Sequence, residues 1–154
     1  MREIKFRAWL NNYPNREEFN NKMYPVTYID FINQLFGIND IHTPIDKQII
    51  ENENFDIEGS PFSMHFSEGV LMQYTGLKDK NGKEIYEGDI IKMTEGLNVN
   101  DWPTEGEIVY NVSSFVMRTF LKEDMILHLS LNLHDGTKFE IIGNVFENPE
   151  LLKQ

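Results

Sequence analysis

Between Leu71 and Lys92 two apolar runs, Leu71-Met72-Gln73-Tyr74 and Ile85-Tyr86 leading to Ile90-Ile91-Lys92, are separated by a charged tip that ends in Asn81-Gly82. Asn-Gly in that setting is a strong hairpin signal, because a two-residue type I′ turn needs positive φ at both central residues. Asn and Gly reach that region at the least steric cost. The spacing predicts a ribbon turning at Asn81-Gly82, then a second tight turn at Glu87-Gly88-Asp89 and a strand beginning at Ile90. Further strands are expected near 69–75, 83–86, 89–94, 105–111, 114–121, 125–131 and 138–146. Between them lie turn signals at Asn111 to Ser114 and at His134-Asp135-Gly136-Thr137, and Glu147-Asn148-Pro149-Glu150-Leu151-Leu152 reads as a terminal turn or helical cap.

Short strands at this spacing, broken by Gly-containing turns, predict a mainly β, α+β fold: a small, partly open SH3-like β-barrel over 69–154. Residues 1–68 are expected to form a smaller N-terminal segment, α/β or loop-rich, whose first strand could pack on the barrel. In that strand Ile4, Phe6, Ala8 and Leu10 alternate with Glu3, Lys5, Arg7 and Trp9, the pattern of a half-buried strand with one wet face. It is expected at a sheet edge, with Trp9 on the polar side. Thr27 to Gly37 reads as a helix: Thr27 as N-cap, Asp30 at the capping-box spacing, an apolar stripe of Tyr28, Phe31, Ile32, Leu35 and Phe36, and Gly37 at C′. Residues 38–68 are polar, are punctuated by Pro44, Gly59 and Pro61, and read as a loop-rich insertion.

Charge narrows the function classes. The net charge is −11, with 6 Lys/Arg against 11 Asp/Glu in residues 1–68 and 8 against 14 in the remainder, so neither half hides a basic domain. Nucleic-acid binding ordinarily rests on a basic face that displaces counterions from phosphate. With no cysteine, disulfides and thiolate metal sites are excluded. No apolar run approaches the roughly 20 residues of a membrane helix, and the alternating N-terminus lacks a signal-peptide core. The expected setting is cytoplasmic.

No catalytic constellation stands out. Gly76 and Gly88 belong to no G-x-x-x-x-G-K-[ST] pattern and read as turn glycines. Glu87 and Asp89 could be paired acids, but Asp after Gly at a strand start more often bonds the turn backbone. His128, His134 and Asp135 are a local His/Asp group without a third ligand at fixed spacing. Ser113-Ser114 lacks the G-x-S-x-G context of a nucleophile. The better leads are the aromatics Trp9, Tyr74, Tyr86, Trp102 and Tyr110, since small barrels bind peptides or single strands through aromatic faces. Tyr74 and Tyr86 flank the hairpin and could equally be an ordinary cross-strand pair.

Three stretches together resemble the YopX family of phage and prophage proteins: Arg2-Glu3-Ile4-Lys5-Phe6-Arg7-Ala8-Trp9, the Leu71 to Lys92 segment with Met72-Gln73-Tyr74-Thr75-Gly76-Leu77 and Tyr86-Glu87-Gly88-Asp89, and Ile142-Gly143-Asn144-Val145-Phe146-Glu147-Asn148-Pro149-Glu150-Leu151. The resemblance implies a phage-derived, β-rich protein of unassigned function and supplies no catalytic or binding residues. The reading that follows is a non-enzymatic protein-interaction module without cofactor or metal, docking a host or phage protein. The alternative is a nucleic-acid-associated SH3-like barrel. Self-association into a homo-oligomer is expected from the N-terminal edge strand and the apolar stripe of the helix, the alternative being that the helix packs across the open end of its own barrel.

Overall fold

The computed structural model describes residues 3–11, 17–38, 63–95, 104–120, 126–131 and 138–152. The strands form two antiparallel sheets that do not close into a barrel, and the described helical segments are single 3-10 turns. The chain divides into two compact units, Lys5–Met72 and a C-terminal unit of Met1–Ile4 with Gln73–Gln154.

In the Lys5–Met72 unit, β1 (Phe6–Leu10), β2 (Lys22–Asp30), β3 (Leu35–Ile38) and β4 (Ser63–His65) lie in the order β4-β3-β2-β1, with the start of β5 (Gly69–Lys78) beside β1. Two expectations are corrected here. β1 is an interior strand, flanked on both sides, and Ala8, Trp9 and Leu10 are all buried. Trp9 is therefore a core residue, and the expected edge is absent.

The expected helix is a hairpin. Tyr28, Ile29 and Asp30 pair with Gly37, Phe36 and Leu35, and the Asp30 carboxylate accepts the N–H groups of Ile32 at 2.9 Å and Asn33 at 3.1 Å, closing the turn between the strands. Those bonds, led by the Asn33 N–H, hold its carboxyl below the ordinary carboxylate range. The apolar stripe does not form one face, because Phe31 and Ile32 at the tip are 75% and 92% exposed. The physical reason is composition: Val26, Thr27, Tyr28, Ile29 and Phe31 are β-branched or aromatic and favour a pleated strand over a helix. Asp30, placed for a capping box, serves the turn instead. Gly37 is no helix cap. The Tyr28 ring lies over its Cα, where any Cβ would collide with it, and the Tyr28 hydroxyl bonds Ser63 on the next strand. Ala8, Leu10, Phe19, Tyr24, Phe36, Ile38 and Met64 form the core of this unit. Most of the insertion expected over 38–68 lies outside the described residues.

In the C-terminal unit the second half of β5 pairs with β6 (Glu84–Tyr86), and a five-stranded sheet has the order β10-β9-β8-β7-β11, from β7 (Asp89–Glu95), β8 (Glu105–Asn111), β9 (Ser114–Phe120), β10 (Ile126–Ser130) and β11 (Lys138–Asn144). These strands fall where the alternation and turn residues place them. Ile85, Ile91, Met93, Ile108, Phe115, Met117, Leu129, Leu131 and Phe139 make its core. Burial of an Ile or Phe side chain contributes about 1.5–3 kcal/mol. Lys92, Arg118 and Lys138 stand opposite Glu105, Glu107 and Glu95 across strand pairs and form ion pairs of 2.7, 2.6 and 2.7 Å.

The hairpin at Asn81-Gly82 is present, but its turn is not type I′. The Gly82 N–H bonds the Asp79 carbonyl at 2.9 Å, and the Asp79 N–H bonds the Lys83 carbonyl at 2.8 Å. Gly82 has φ +83, whereas Asn81 is not among the positive-φ residues. This is a three-residue loop, a turn followed by a left-handed glycine. A loop of this length needs positive φ at its last residue alone, and the Asp79 carboxylate braces it, accepting the N–H groups of Asn81 at 2.8 Å and Lys83 at 2.9 Å. Its other oxygen takes the Ile141 N–H of β11 at 3.4 Å, and the Lys80 N–H bonds the Phe139 carbonyl at 2.8 Å.

Burial pushes the Asp79 carboxyl upward, and the N–H groups of Lys83, Asn81 and Ile141 outweigh it, leaving the group below its ordinary value of 3.8. A depressed folded pKa means that the ionised form stabilises the fold. That contribution is complete above the unfolded value and is lost as pH falls through the folded one. Asp79→Ala should therefore cost about 2 kcal/mol near neutral pH, and chemical denaturation below pH about 4 should show the gap to the parent protein closing. Gly82→Val, with open space around its Cβ but a β-branched residue at positive φ, should cost on the order of 1–2 kcal/mol in the same assay. A parent-like midpoint for Gly82→Val would contradict the left-handed assignment.

Candidate functional site

The C-terminal unit carries a cleft of about 540 Å³ lined by Glu3, by Tyr74 to Leu77 of β5, by Ser113, Ser114 and Phe115, and by Ser130 and Leu131. Its size lies within the range of about 300–1,000 Å³ typical of small-ligand pockets.

One wall is a bulge in β5. Tyr74 pairs with Tyr86 and Lys78 with Glu84, so Thr75, Gly76 and Leu77 stand opposite Ile85 alone. Excess residues of this kind bend a strand and leave backbone groups outside the ladder. The Thr75 hydroxyl locks the bulge, donating to the Ile85 carbonyl at 2.8 Å and accepting the Leu77 N–H at 3.1 Å. Gly76 has φ +87, which permits the bend. A glycine inside a strand pattern is the signal for such a bulge, and it is more than a turn glycine here.

The opposite wall is the β8–β9 hairpin. Asn111 pairs with Ser114, leaving Val112 and Ser113 as a two-residue turn. Both turn types that suit this connection need positive φ at the first central position, where glycine or asparagine is usual. Val112 occupies it at φ +56, is 92% exposed, and is followed by a Ser113 N–H bonded to the Asn111 carbonyl at 2.6 Å. A β-branched residue there is a strained choice with no packing return. Tyr110, on the same hairpin, is 55% exposed and meets Phe115 edge-on at 5.2 Å between ring centroids.

The aromatic leads fall in different places. Trp9 and Tyr74 are buried, and Tyr74 faces Tyr86 across the strands at 5.4 Å. The Tyr86 hydroxyl donates to Glu84 at 2.8 Å. Tyr110 is exposed at the cleft's hairpin, and Trp102 lies outside the described residues. Glu87 and Asp89 brace backbone. Glu87 accepts the Gln73 N–H at 3.0 Å, and the buried Asp89 accepts the Tyr86 N–H at 2.8 Å. Among the described residues no three His, Asp or Glu side chains are grouped to hold a metal ion. His128 is exposed on β10, 3.4 Å from the Asn111 side chain, while His134 and Asp135 lie outside the described residues. Among the described residues no helix is long and apolar enough to cross a membrane. Sequence reasoning missed Glu3 and Ser130, which carry no local signal, and Val112, whose exposure depends on the hairpin register.

The fold defines a two-sheet antiparallel β protein whose short Gly-containing motifs build bulges and turns. The chain belongs to the YopX protein family, whose model matches residues 5–153. It is similar to the crystal structure of protein EF1440 from Enterococcus faecalis, with 26% identity and a TM-score of 0.55 over 99% of this chain and 100% of that one. It also shares its fold with the crystal structure of protein yopX from Bacillus subtilis, at 19% identity and a TM-score of 0.51 over 99% of this chain and 100% of that one. No curated protein matches it.

Because Val112 is strained and packs against nothing that rewards it, Val112→Gly should raise stability by about 1 kcal/mol, read as a higher denaturation midpoint. A lower midpoint would show that the valine makes a contact the fold needs.

Proposed function

We propose that the chain is a non-enzymatic protein-interaction module of phage or prophage type, acting in the bacterial cytoplasm and docking its partner at the cleft and the Tyr110–Val112 rim. The observation that carries this reading is the exposed, strained Val112 beside an exposed Tyr110 on the hairpin that walls the cleft. Residues that break a local folding rule without a compensating contact collect at functional surfaces. Among the described residues lining the cleft, no histidine stands beside its serines. The likeness to SH3-type modules belongs to the same proposal, supported by the β7 to β10 meander and the return of β11 beside β7.

The alternative, nucleic-acid binding, has less support. Lys80, Lys92, Arg118 and Lys138 of this unit are each paired with a glutamate, and the net charge opposes phosphate. The homo-oligomer expected from an edge strand and an apolar helix loses both premises, since β1 is interior and the helix is a hairpin.

Pull-down from host lysate with the intact chain should capture a protein, and Tyr110→Ala, which removes an exposed aromatic anchor, should reduce capture about tenfold or more. Salt-sensitive gel shifts with nucleic acid, together with unchanged capture by Tyr110→Ala, would overturn the proposal.

A further inference from the structure

We infer that Asn81 is a site of spontaneous deamidation held in check by the Asp79 junction. The change accumulates on chains whose C-terminal unit has opened, and it then keeps the junction from reforming. Asn81-Gly82 ends the charged tip of the β5–β6 ribbon. Asparagine is a heat-labile residue, and it loses its side-chain amide fastest where glycine follows. The backbone nitrogen of the next residue attacks the side-chain Cγ, and glycine puts no side chain in its path. Lys80, Asn81, Gly82 and Lys83 are all exposed, and a Cβ built on Gly82 would meet nothing within 4 Å. Neither packing nor burial shields the dipeptide.

Hydrogen bonding does. The nucleophile is the deprotonated Gly82 nitrogen, and the proton that must leave it is the one donated to the Asp79 carbonyl at 2.9 Å. The Asp79 carboxylate accepts the Asn81 N–H at 2.8 Å, and the Asn81 side-chain amide faces it as a further donor. Both partners of the reaction are thus engaged by Asp79. A carboxylate this close also opposes the negative charge that builds on the attacking nitrogen. Freeing the turn disturbs the junction with β11, since the same carboxylate accepts the Ile141 N–H at 3.4 Å and the Lys80 N–H bonds the Phe139 carbonyl.

In the opened chain the bond from the Gly82 nitrogen to the Asn81 Cγ forms, the Cγ–Nδ2 bond breaks, and ammonia leaves with the displaced proton. Water then splits the cyclic imide at either carbonyl, so the net change consumes water and releases ammonia. One product is an ordinary aspartyl linkage. The other runs the main chain through the side-chain carbon and lengthens the three-residue loop. Each replaces a donor amide with a carboxylate beside the ionised Asp79, and like charges in contact oppose the bonds that close the turn. Of the flanking lysines, Lys80 is already paired with Glu140 at 2.8 Å.

The test follows conversion at position 81 by mass-spectrometric peptide mapping of the intact chain, kept warm at mildly alkaline pH with and without denaturing urea. Conversion in native buffer should be about tenfold or more slower than in urea. Asp79→Asn, which keeps an acceptor oxygen and loses the charge, should speed native conversion about fivefold or more. Asn81→Asp should lower the denaturation midpoint further than Asn81→Ser, which loses the same amide without gaining a charge. Equal rates in native buffer and urea, or no conversion in either, would overturn the inference. So would an unaltered rate in Asp79→Asn, or equal midpoints for the two variants at position 81. The urea comparison uses the parent chain alone, so it decides the matter even where Asp79→Asn does not fold.

Discussion

The C-terminal unit depends on one carboxylate. Asp79 sits where the β5–β6 ribbon turns, and its two oxygens hold three backbone N–H groups, two within the turn and one on β11. Without it, three donors would lose their acceptor. A buried donor without an acceptor costs about 1–3 kcal/mol, but Asn81 and Lys83 are exposed and water can replace part of what they lose. The Lys80–Phe139 backbone bond and the Lys80–Glu140 ion pair of 2.8 Å lie on the same junction. Of these contacts the exposed ion pair contributes least.

Two of the three stretches that carry the family resemblance form joints of this unit. Tyr74 to Leu77 makes the locked bulge, and Glu87-Gly88-Asp89 makes the turn into β7, with Gly88 at φ +74. In the third stretch the Asn144 side chain accepts the N–H groups of Phe146 at 3.0 Å and Glu147 at 2.9 Å. There Gly143 leaves room for Asn148 and Leu151 to pack against β11. The Val145 N–H bonds the Gly88 carbonyl at 2.9 Å, so the second and third stretches meet. These two motifs therefore specify architecture, and Tyr110 and Val112 of the β8–β9 hairpin lie outside them.

This explains which parts of the molecule were legible in the sequence. Strands β5 to β11 follow a period-2 alternation bounded by Gly, Asn and Asp, and their positions were readable to within a few residues. The Thr27 to Gly37 segment was not, because strand–turn–strand can mimic helical spacing when a four-residue turn separates two short apolar runs. Tyr28 opposite Gly37 is the contact that decides for the hairpin, and it depends on a pairing that no local window contains. Glu3 failed to register as a site residue for the same reason, since nothing within the first strand announces that it lines a cleft with residues over 100 positions away. Val112 was legible as part of a turn, but its strain appears only with the register of Asn111 and Ser114.

The claim that the Asp79 junction holds the C-terminal unit together is tested most directly by amide hydrogen exchange on the intact chain. The Lys83 and Ile141 N–H groups, bound by the carboxylate, should exchange only with global opening of the unit, at the same free energy as Ile91 and Ile108 in the core. Exchange of those two amides by local opening, while Ile91 and Ile108 remain protected, would contradict the account.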